Sequence, residues 1–354
     1  MIKLGSKTIT RISSPYVIAE IGVNHEGSLS KAFELIHAAK ESGADAAKFQ
    51  TYKAEKLASV NSPSYWDLNM EPTTSQFELF KKYDSFSVDD YFKCYEECNK
   101  QGIDFLSTPF DFDAVDFLNP LMPFFKIASA DITNLPFLKY IASFGKPVVF
   151  STGASTISEI NNALSTLKNN GCDSIVPLHC VLSYPTAHSD ANLNMINFLL
   201  DSYPDLIIGY SDHTLADSDM NILSAAYLKG ARVIEKHFSL DKSIPGGDHL
   251  HSMDPSDLKL FIDKLSFFDD ISGSYERHVL ECEKLSRLNA RRSICVSKAI
   301  TAGDIFSTEN LTIKRPGHGL SPEFFDSVIG KASTVDLAID DLLYEKHVDG
   351  VILK

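Results

Sequence analysis

LIIGYSDHTLADSDMNILSAAYLKGARVIEKHFSL (206–240) decides the fold. Two short apolar runs, LIIGYSDH (206–213) and RVIEKHFSL (232–240), flank LADSDMNILSAAYLKG, which has helical spacing and stops at Gly230. Strand, helix, strand in that order is the parallel crossover unit. Each strand run carries a histidine at its end, His213 and His237. Side chains two apart on a strand share a face, which pairs Ser211 with His213 and Glu235 with His237. Such polar pairs are out of place on strands that only fill a core. Side by side in a parallel sheet, the two imidazoles can hold one divalent metal, with Asp248 and Glu235 nearby. The competing reading makes each histidine a satisfied structural residue, as lone buried histidines usually are.

The same alternation extends outward in both directions. YVIAEIG (16–22) is an apolar strand interrupted by Glu20, followed by a helix with Ser28 or Ser30 as N-cap and Gly43 as its stop. AAKFQT (46–51) carries Lys48 and Gln50 on one face. Residues 52–74, with Pro63, Trp66 and Pro72, read as a long loop of the kind that forms lids. Further strands are DFLSTPF (104–110), FFKIASA (124–130), PVVFSTG (147–153) and SIVPLHCV (174–181), each followed by a helical pattern. PSDLKLFIDKLSFFDD supplies the last helix. Eight strand–helix units within residues 1–276 predict a (β/α)8 TIM barrel. A doubly wound sheet would carry a Gly-rich fingerprint after its first strand, and this sequence has none there. RHVLECEKLSRLNARRS (277–293) is a basic, helix-compatible linker, and residues 294–354, rich in short β-type runs with Gly and Pro, form a small mainly-β domain.

Composition narrows the partners. The chain has 354 residues, 44% hydrophobic and 23% charged, with a formal net charge of -14. That charge argues against nucleic acid and anionic membranes, so an anionic substrate needs its own local cluster of Lys or Arg. The six cysteines (Cys94, Cys98, Cys172, Cys180, Cys282, Cys295) have no disulfide-framework spacing and read as reduced thiols. The N-terminus lacks an apolar leader and no apolar run approaches a membrane span, so a soluble, cytoplasmic protein is expected.

In a barrel the site lies at the C-terminal strand ends. Those ends carry Glu20, Lys48, Gln50, Thr108, Lys126, Ser129, Asp131, Ser151, Thr152, His179, Ser211, His213, Glu235 and His237. Lys48 and Lys126 stand inside apolar runs, where an unpaired ammonium is costly. Either each pairs with a buried carboxylate such as Glu20 or Glu235, or together with the hydroxyls they bind an anion. Two lysines and several hydroxyls suit a phosphate or a carboxylate, and a phosphorylated acid uses both.

YVIAEIGVNHEG, AAKFQTY, FLSTPF, KIASAD, FSTGAS, IGYSDHT, EKHFSLDK and GGDHLHSMDP resemble, in order, the motifs of the sialic acid synthase family. AGDIFSTENLTIKRPGHGL with IGKAS resembles that family's antifreeze-like (SAF) domain. The resemblance implies a metal-dependent condensation of phosphoenolpyruvate with N-acetylmannosamine or a related acetamido sugar. It implies that His213 and His237 bind Mn²⁺ or Mg²⁺, and that Lys48, Lys126, Ser129, Ser151 and Ser211 hold phosphoenolpyruvate with Thr108 near it. Glu20 matches the acid–base group that handles the attacking water. With the two lysines and Glu235 it forms the catalytic set. Gln50, Tyr184, Asp248 and Arg315 match sugar-contacting positions. Asp131 stands where some members have Glu, and Val181 and Leu182 replace a Thr-Asn pair, which opens legionaminate or pseudaminate synthesis as the alternative. The resemblance further implies a domain-swapped homodimer in which Arg315 reaches the other chain's barrel. His25 and His179 read as structural. A metal-dependent barrel hydrolase and a catalytically silent sugar-binding protein are the other classes. Hydrolysis has no need of two strand-borne lysines, and the intact Glu, Lys and His set speaks against silence.

Overall fold

In the computed structural model, which describes residues 1–66, 68 and 71–350, the chain divides into Met1–Ser272 and Gly273–Lys354. The first unit opens with a hairpin, β1 (Ile2–Leu4) and β2 (Lys7–Ile9), whose Leu4 and Ile9 are buried in the core. Strands of three residues are too short to show a period, so this hairpin is not legible in the sequence. Eight parallel strands follow: β3 (Tyr16–Gly22), β4 (Ala46–Thr51), β5 (Asp104–Pro109), β6 (Phe125–Ile127), β7 (Val148–Ser151), β8 (Ile175–Cys180), β9 (Gly209–Asp212) and β10 (Val233–His237). Their order is β5-β4-β3-β10-β9-β8-β7-β6, with β5 and β6 lying side by side, so the sheet is a nearly closed barrel. The expected TIM barrel is borne out, as is the small antiparallel β module after it.

Every residue of β3, β8, β9 and β10 is buried, because helices cover the outside of a parallel sheet and side chains fill the inside. This is why the strands read as near-continuous apolar runs, and why the polar residues among them stand out. The helices begin where the sequence supplies oxygen acceptors. Ser28 caps Leu29–Glu41, and capping boxes Ser87/Asp90 and Thr156/Glu159 open Val88–Gln101 and Ile157–Asn169. At Gly209 a Cβ would stand 2.3 Å from Leu178 Cδ2 and 2.4 Å from the Val233 carbonyl, so only glycine lets β9 pass between β8 and β10.

Two segments differ from expectation. FFKIASA forms a three-residue strand and then a 3₁₀ turn, Ser129–Asp131, which tips Ser129 toward the site. The long loop contains a short helix near its start, Ala54–Leu57, and is followed by another, Gln76–Tyr83; Asp67, Asn69 and Met70 within it lie outside the described residues. Among the described residues no helix is long and apolar enough to cross a membrane.

In the second unit β11 (Ser293–Val296) pairs antiparallel with β12 (Leu311–Lys314). Ile294, Val296, Phe306, Val328 and Leu343 make its core. The segment read as a linker contains a helix, Lys284–Ala290.

Candidate active site

The C-terminal ends of the barrel strands bring most of the expected residues together. Parallel register sets Glu20 beside Lys48 and beside His237, and Ser211 beside Glu235. Four buried charges meet across the barrel. Lys48 Nζ lies 2.6 Å from Glu20 Oε2 and 3.7 Å from Glu235 Oε2, and Lys126 Nζ lies 3.3 Å from Glu235 Oε1. Hydroxyls fill in around them: Lys48 donates to Thr108 Oγ1 (2.9 Å), Lys126 to Ser151 Oγ (2.9 Å) and Ser211 to Glu235 Oε1 (3.0 Å). Both lysines therefore pair with carboxylates, and both also face a hydroxyl cluster. Oε2 of Glu20 and of Glu235 lack an aligned hydrogen-bond donor although an ammonium is near, so the set is charge-balanced without being saturated.

The environment separates the two carboxylates. Burial pushes Glu20 up to about 7, with Lys48 pulling down and Glu235 pushing up. Glu235 is held below its ordinary value because the two lysines outweigh its burial. Lys126 is lowered by burial, while the two glutamates keep Lys48 raised against the same penalty. Gln50 donates to Glu20 Oε1 at 3.1 Å. Next to them Gly22 has φ +54°, and a Cβ there would stand 3.2 Å from Gln50 Nε2, 3.4 Å from Glu20 Oε1 and 3.5 Å from Asp248 Oδ2. The missing side chain keeps the space between those three groups open.

Ser129 accepts from the Gly153 amide (2.9 Å), with Cys180 Sγ 3.7 Å away. Asp131 is half-buried in the 3₁₀ turn, accepts from Asn134, and is raised by burial. His213 Nδ1 sits 2.8 Å from the Val181 carbonyl, and the Tyr184 ring centroid is 4.2 Å from that of His213. Leu182 is partly exposed beside Gly153. Arg315 is exposed in the second unit, just past β12. His179 stacks on Tyr210 and meets the Ala191 carbonyl, and His25 packs on Phe86 and accepts from the Gly27 amide. Both have the satisfied surroundings of structural histidines.

The metal-ligating side chains gather differently from the sequence expectation. His213 and His237 have ring centroids 5.6 Å apart. The tighter group is His237, Asp248 and His251, whose ligand atoms all lie within 4.8 Å of one another. His237 Nδ1 is 3.4 Å from Asp248 Oδ2, and His251 Nε2 is 3.6 Å from Asp248 Oδ1. Those two ring nitrogens are buried and have no hydrogen-bond partner among the described residues. Burial, reinforced by the neighbouring imidazoles, drives His237 well below its ordinary value; burial and His213 bring His251 down to about 3. Asp248 is raised to about 6 by burial. Neutral imidazoles with orphaned nitrogens around one carboxylate fit a divalent cation.

Sequence reasoning missed His251 and Asn24. The signal for His251 was DHLH, with Asp and His three apart, but its place depends on a loop that returns to the barrel. Met253 donates to the His237 carbonyl (2.8 Å) and Ser239 to the Met253 carbonyl (3.0 Å), which lays the end of the loop beside β10. Asn24, fully buried, donates to the Phe238 carbonyl and to Ser252 Oγ and accepts from the Asp248 amide, all within 3.0–3.1 Å.

The comparisons agree with this geometry. Residues 35–277 match the NeuB family and residues 291–349 the SAF domain. The chain is 39% identical to the N,N'-diacetyllegionaminic acid synthase of Legionella pneumophila, over 94% of each chain. It is 34% identical to the N-acetylneuraminate-9-phosphate synthase of Homo sapiens, over 94% of this chain and 92% of that one. In three dimensions it resembles the N-acetylneuraminic acid (sialic acid) synthetase of Leptospira borgpetersenii, determined in complex with citrate. The TM-score is 0.71 and the identity 32%, over 80% of this chain and 94% of that chain. A barrel that collects two lysines, two glutamates and a histidine–aspartate group at its strand ends, joined to a SAF domain, thus belongs to the NeuB family.

Proposed function

We propose that this protein is a nonulosonate synthase: it condenses phosphoenolpyruvate with an N-acetylated hexose and water, giving a nine-carbon 2-keto acid and phosphate. The observation that carries this reading is the pairing of Lys48 and Lys126 with Glu20 and Glu235 inside a ring of hydroxyls. Two buried cations amid Thr108, Ser129, Ser151 and Ser211 suit the phosphate and carboxylate of the donor, the anion displacing the carboxylate partners that balance the lysines before it binds. Glu20 sits at a pKa of about 7, where a carboxylate can both take and return a proton, and it is placed to orient the water that adds at the phosphate-bearing carbon. Glu235 stays ionised and fixes Lys126 and Ser211. A divalent ion, Mn²⁺ or Mg²⁺, at His213 and His237 supplies polarisation of the acceptor aldehyde when bound. Gln50, Asp131, Tyr184 and Asp248 position the sugar, and Arg315 from a partner subunit in a domain-swapped homodimer completes its contacts.

N-acetylmannosamine is the simplest acceptor. A second reading, a diacetamido-trideoxyhexose leading to legionaminate or pseudaminate, is favoured by Val181 and Leu182 and by the 39% identity to a legionaminic acid synthase. A hydroxyl facing Leu182 loses water without gaining a partner, at a cost of about 1–3 kcal/mol. The test is phosphate release assayed with each acceptor class, omitting phosphoenolpyruvate, metal or sugar in turn. Release that needs all three supports synthesis; release from the donor and water alone overturns it. Leu182→Asn is expected to shift preference toward N-acetylmannosamine, and an unmoved ratio of kcat/KM between the sugars removes that residue from specificity.

A further inference from the structure

We infer that His251 is a protein ligand of the divalent ion, together with His237 and Asp248, and that the site therefore selects a first-row transition ion over Mg²⁺. The inference rests on the proposal that an ion binds at this end of the barrel; it keeps His237 from the proposed pair, puts His251 and Asp248 in place of His213, whose Nδ1 already meets the Val181 carbonyl, and so turns Asp248 from the sugar to the ion. His251 is 4% exposed and His237 is 5% exposed, and each turns an unpartnered ring nitrogen toward the Asp248 carboxylate. A buried polar nitrogen left without a partner is destabilising, because its lost hydration is not replaced. Two such atoms at one carboxylate are explained together if a cation occupies the space between them. Two ligands about 2.1 Å from one ion stand roughly 3.0–3.4 Å apart at right or tetrahedral angles. The two imidazole–carboxylate separations, 3.4 and 3.6 Å, are near this range, and one ligand atom from each of the three residues lies within 4.8 Å of the others, so the side chains must draw together on binding.

The surroundings hold this arrangement. Asn24 fastens the Asp248 amide and Ser252, and the Met253 pairing fixes the chain on the other side of His251. His249, two residues away, is used differently: its Nδ1 meets Ser239 Oγ at 2.7 Å. Imidazole nitrogen suits Zn²⁺ and the later first-row ions, with affinity at such a site rising from Mn²⁺ to Co²⁺, whereas Mg²⁺ prefers an all-oxygen shell. Adding His251 to His237 moves the donor set toward the first group.

The test uses chelator-treated full-length protein and direct binding of Mn²⁺, Co²⁺ and Mg²⁺ by calorimetry, without turnover. Pulsed electron paramagnetic resonance of the Mn²⁺-loaded protein then counts coupled imidazole nitrogens. Wild type is expected to bind Co²⁺ and Mn²⁺ more tightly than Mg²⁺. His251→Ala is expected to lose roughly 10- to 100-fold in Co²⁺ affinity and to show one coupled imidazole fewer. His251→Gln, close in size, keeps the test valid if the alanine variant does not fold, and is expected to show the same missing nitrogen. Unchanged affinity and an unchanged nitrogen count in a folded His251 variant overturn the inference, while His237→Ala losing the ion in the same experiment keeps the broader metal reading. If wild type binds none of the three ions, the inference and the metal assignment fall together.

Discussion

Lys48 shows how one side chain serves two ends. Its ammonium balances Glu20 and Glu235 in the interior, so removing it should cost stability, and on the proposed function donor binding too. Lys48→Met and Lys126→Met should each weaken phosphoenolpyruvate binding by about 1.5–3 kcal/mol, roughly 10- to 150-fold, measured by calorimetry. The stability loss should depend on pH. Without Lys48, the folded-state pKa of Glu20 rises further above its unfolded value, so folding takes up a proton and stability falls as pH rises from about 4.5 through and beyond 7. Melting of Lys48→Met should therefore lag wild type more at about pH 8 than at about pH 6, and adding Glu20→Gln should remove the difference. Catalysis is expected to follow the same group. Glu20 must be ionised to accept a proton, so kcat/KM for phosphoenolpyruvate should rise through about pH 7 and level off above it. A profile flat across that range would take Glu20 out of the acid–base role. These residues could be read from sequence because charge inside an apolar strand is costly and calls for an explanation; the identity of each ion pair could not, because it depends on register.

At the scale of elements, the strands were legible and the loops were not. YVIAEIG, AAKFQT and RVIEKHFSL declare themselves by unbroken apolar character, and each matches an observed barrel strand to within a few residues. The return of 239–253 to β10 was hidden, since it is built from backbone bonds and from one buried amide 214 residues before its partner. That dependence makes Asn24 a positioning residue for Asp248 and His251. Asn24→Ala should leave three groups without their bonds and lower stability by about 1–3 kcal/mol. If the loop holds sugar and metal as proposed, the acceptor KM should rise more than the phosphoenolpyruvate KM. Equal changes in both would show that Asn24 acts only on stability. FFKIASA was overextended for a related reason: Ser129–Asp131 has the composition of a strand end, and only its own turn bonds bend it into a 3₁₀ segment.

For the whole molecule, the barrel and its SAF domain were legible from alternation and motif order, whereas assembly is carried by surfaces that leave no period in a sequence. If a partner's Arg315 completes the sugar site, mixing Arg315→Ala with Lys48→Met and allowing subunit exchange should restore activity in one site per mixed dimer. No recovery although mixed dimers form would place Arg315 in its own chain's work or in none. Acid should also act on the fold as a whole. His25 is lowered by burial to about 4 and His251 to about 3, so the unfolded chain binds protons that the folded one refuses. Stability of the chelated protein should fall as pH drops below about 6.5 toward those values, and His25→Gln should flatten the slope of melting temperature against pH. The charge cluster has a kinetic consequence too. Glu20, Lys48, Lys126 and Glu235 come from β3, β4, β6 and β10, the first, second, fourth and last strands of the barrel. Lys48 finds Glu20 on the neighbouring strand, but Lys126 has its carboxylate only once the last strand brings Glu235, so closure should be a late event in refolding. A barrel with all four charges neutralised should refold faster, having lost the step at which water leaves the centre.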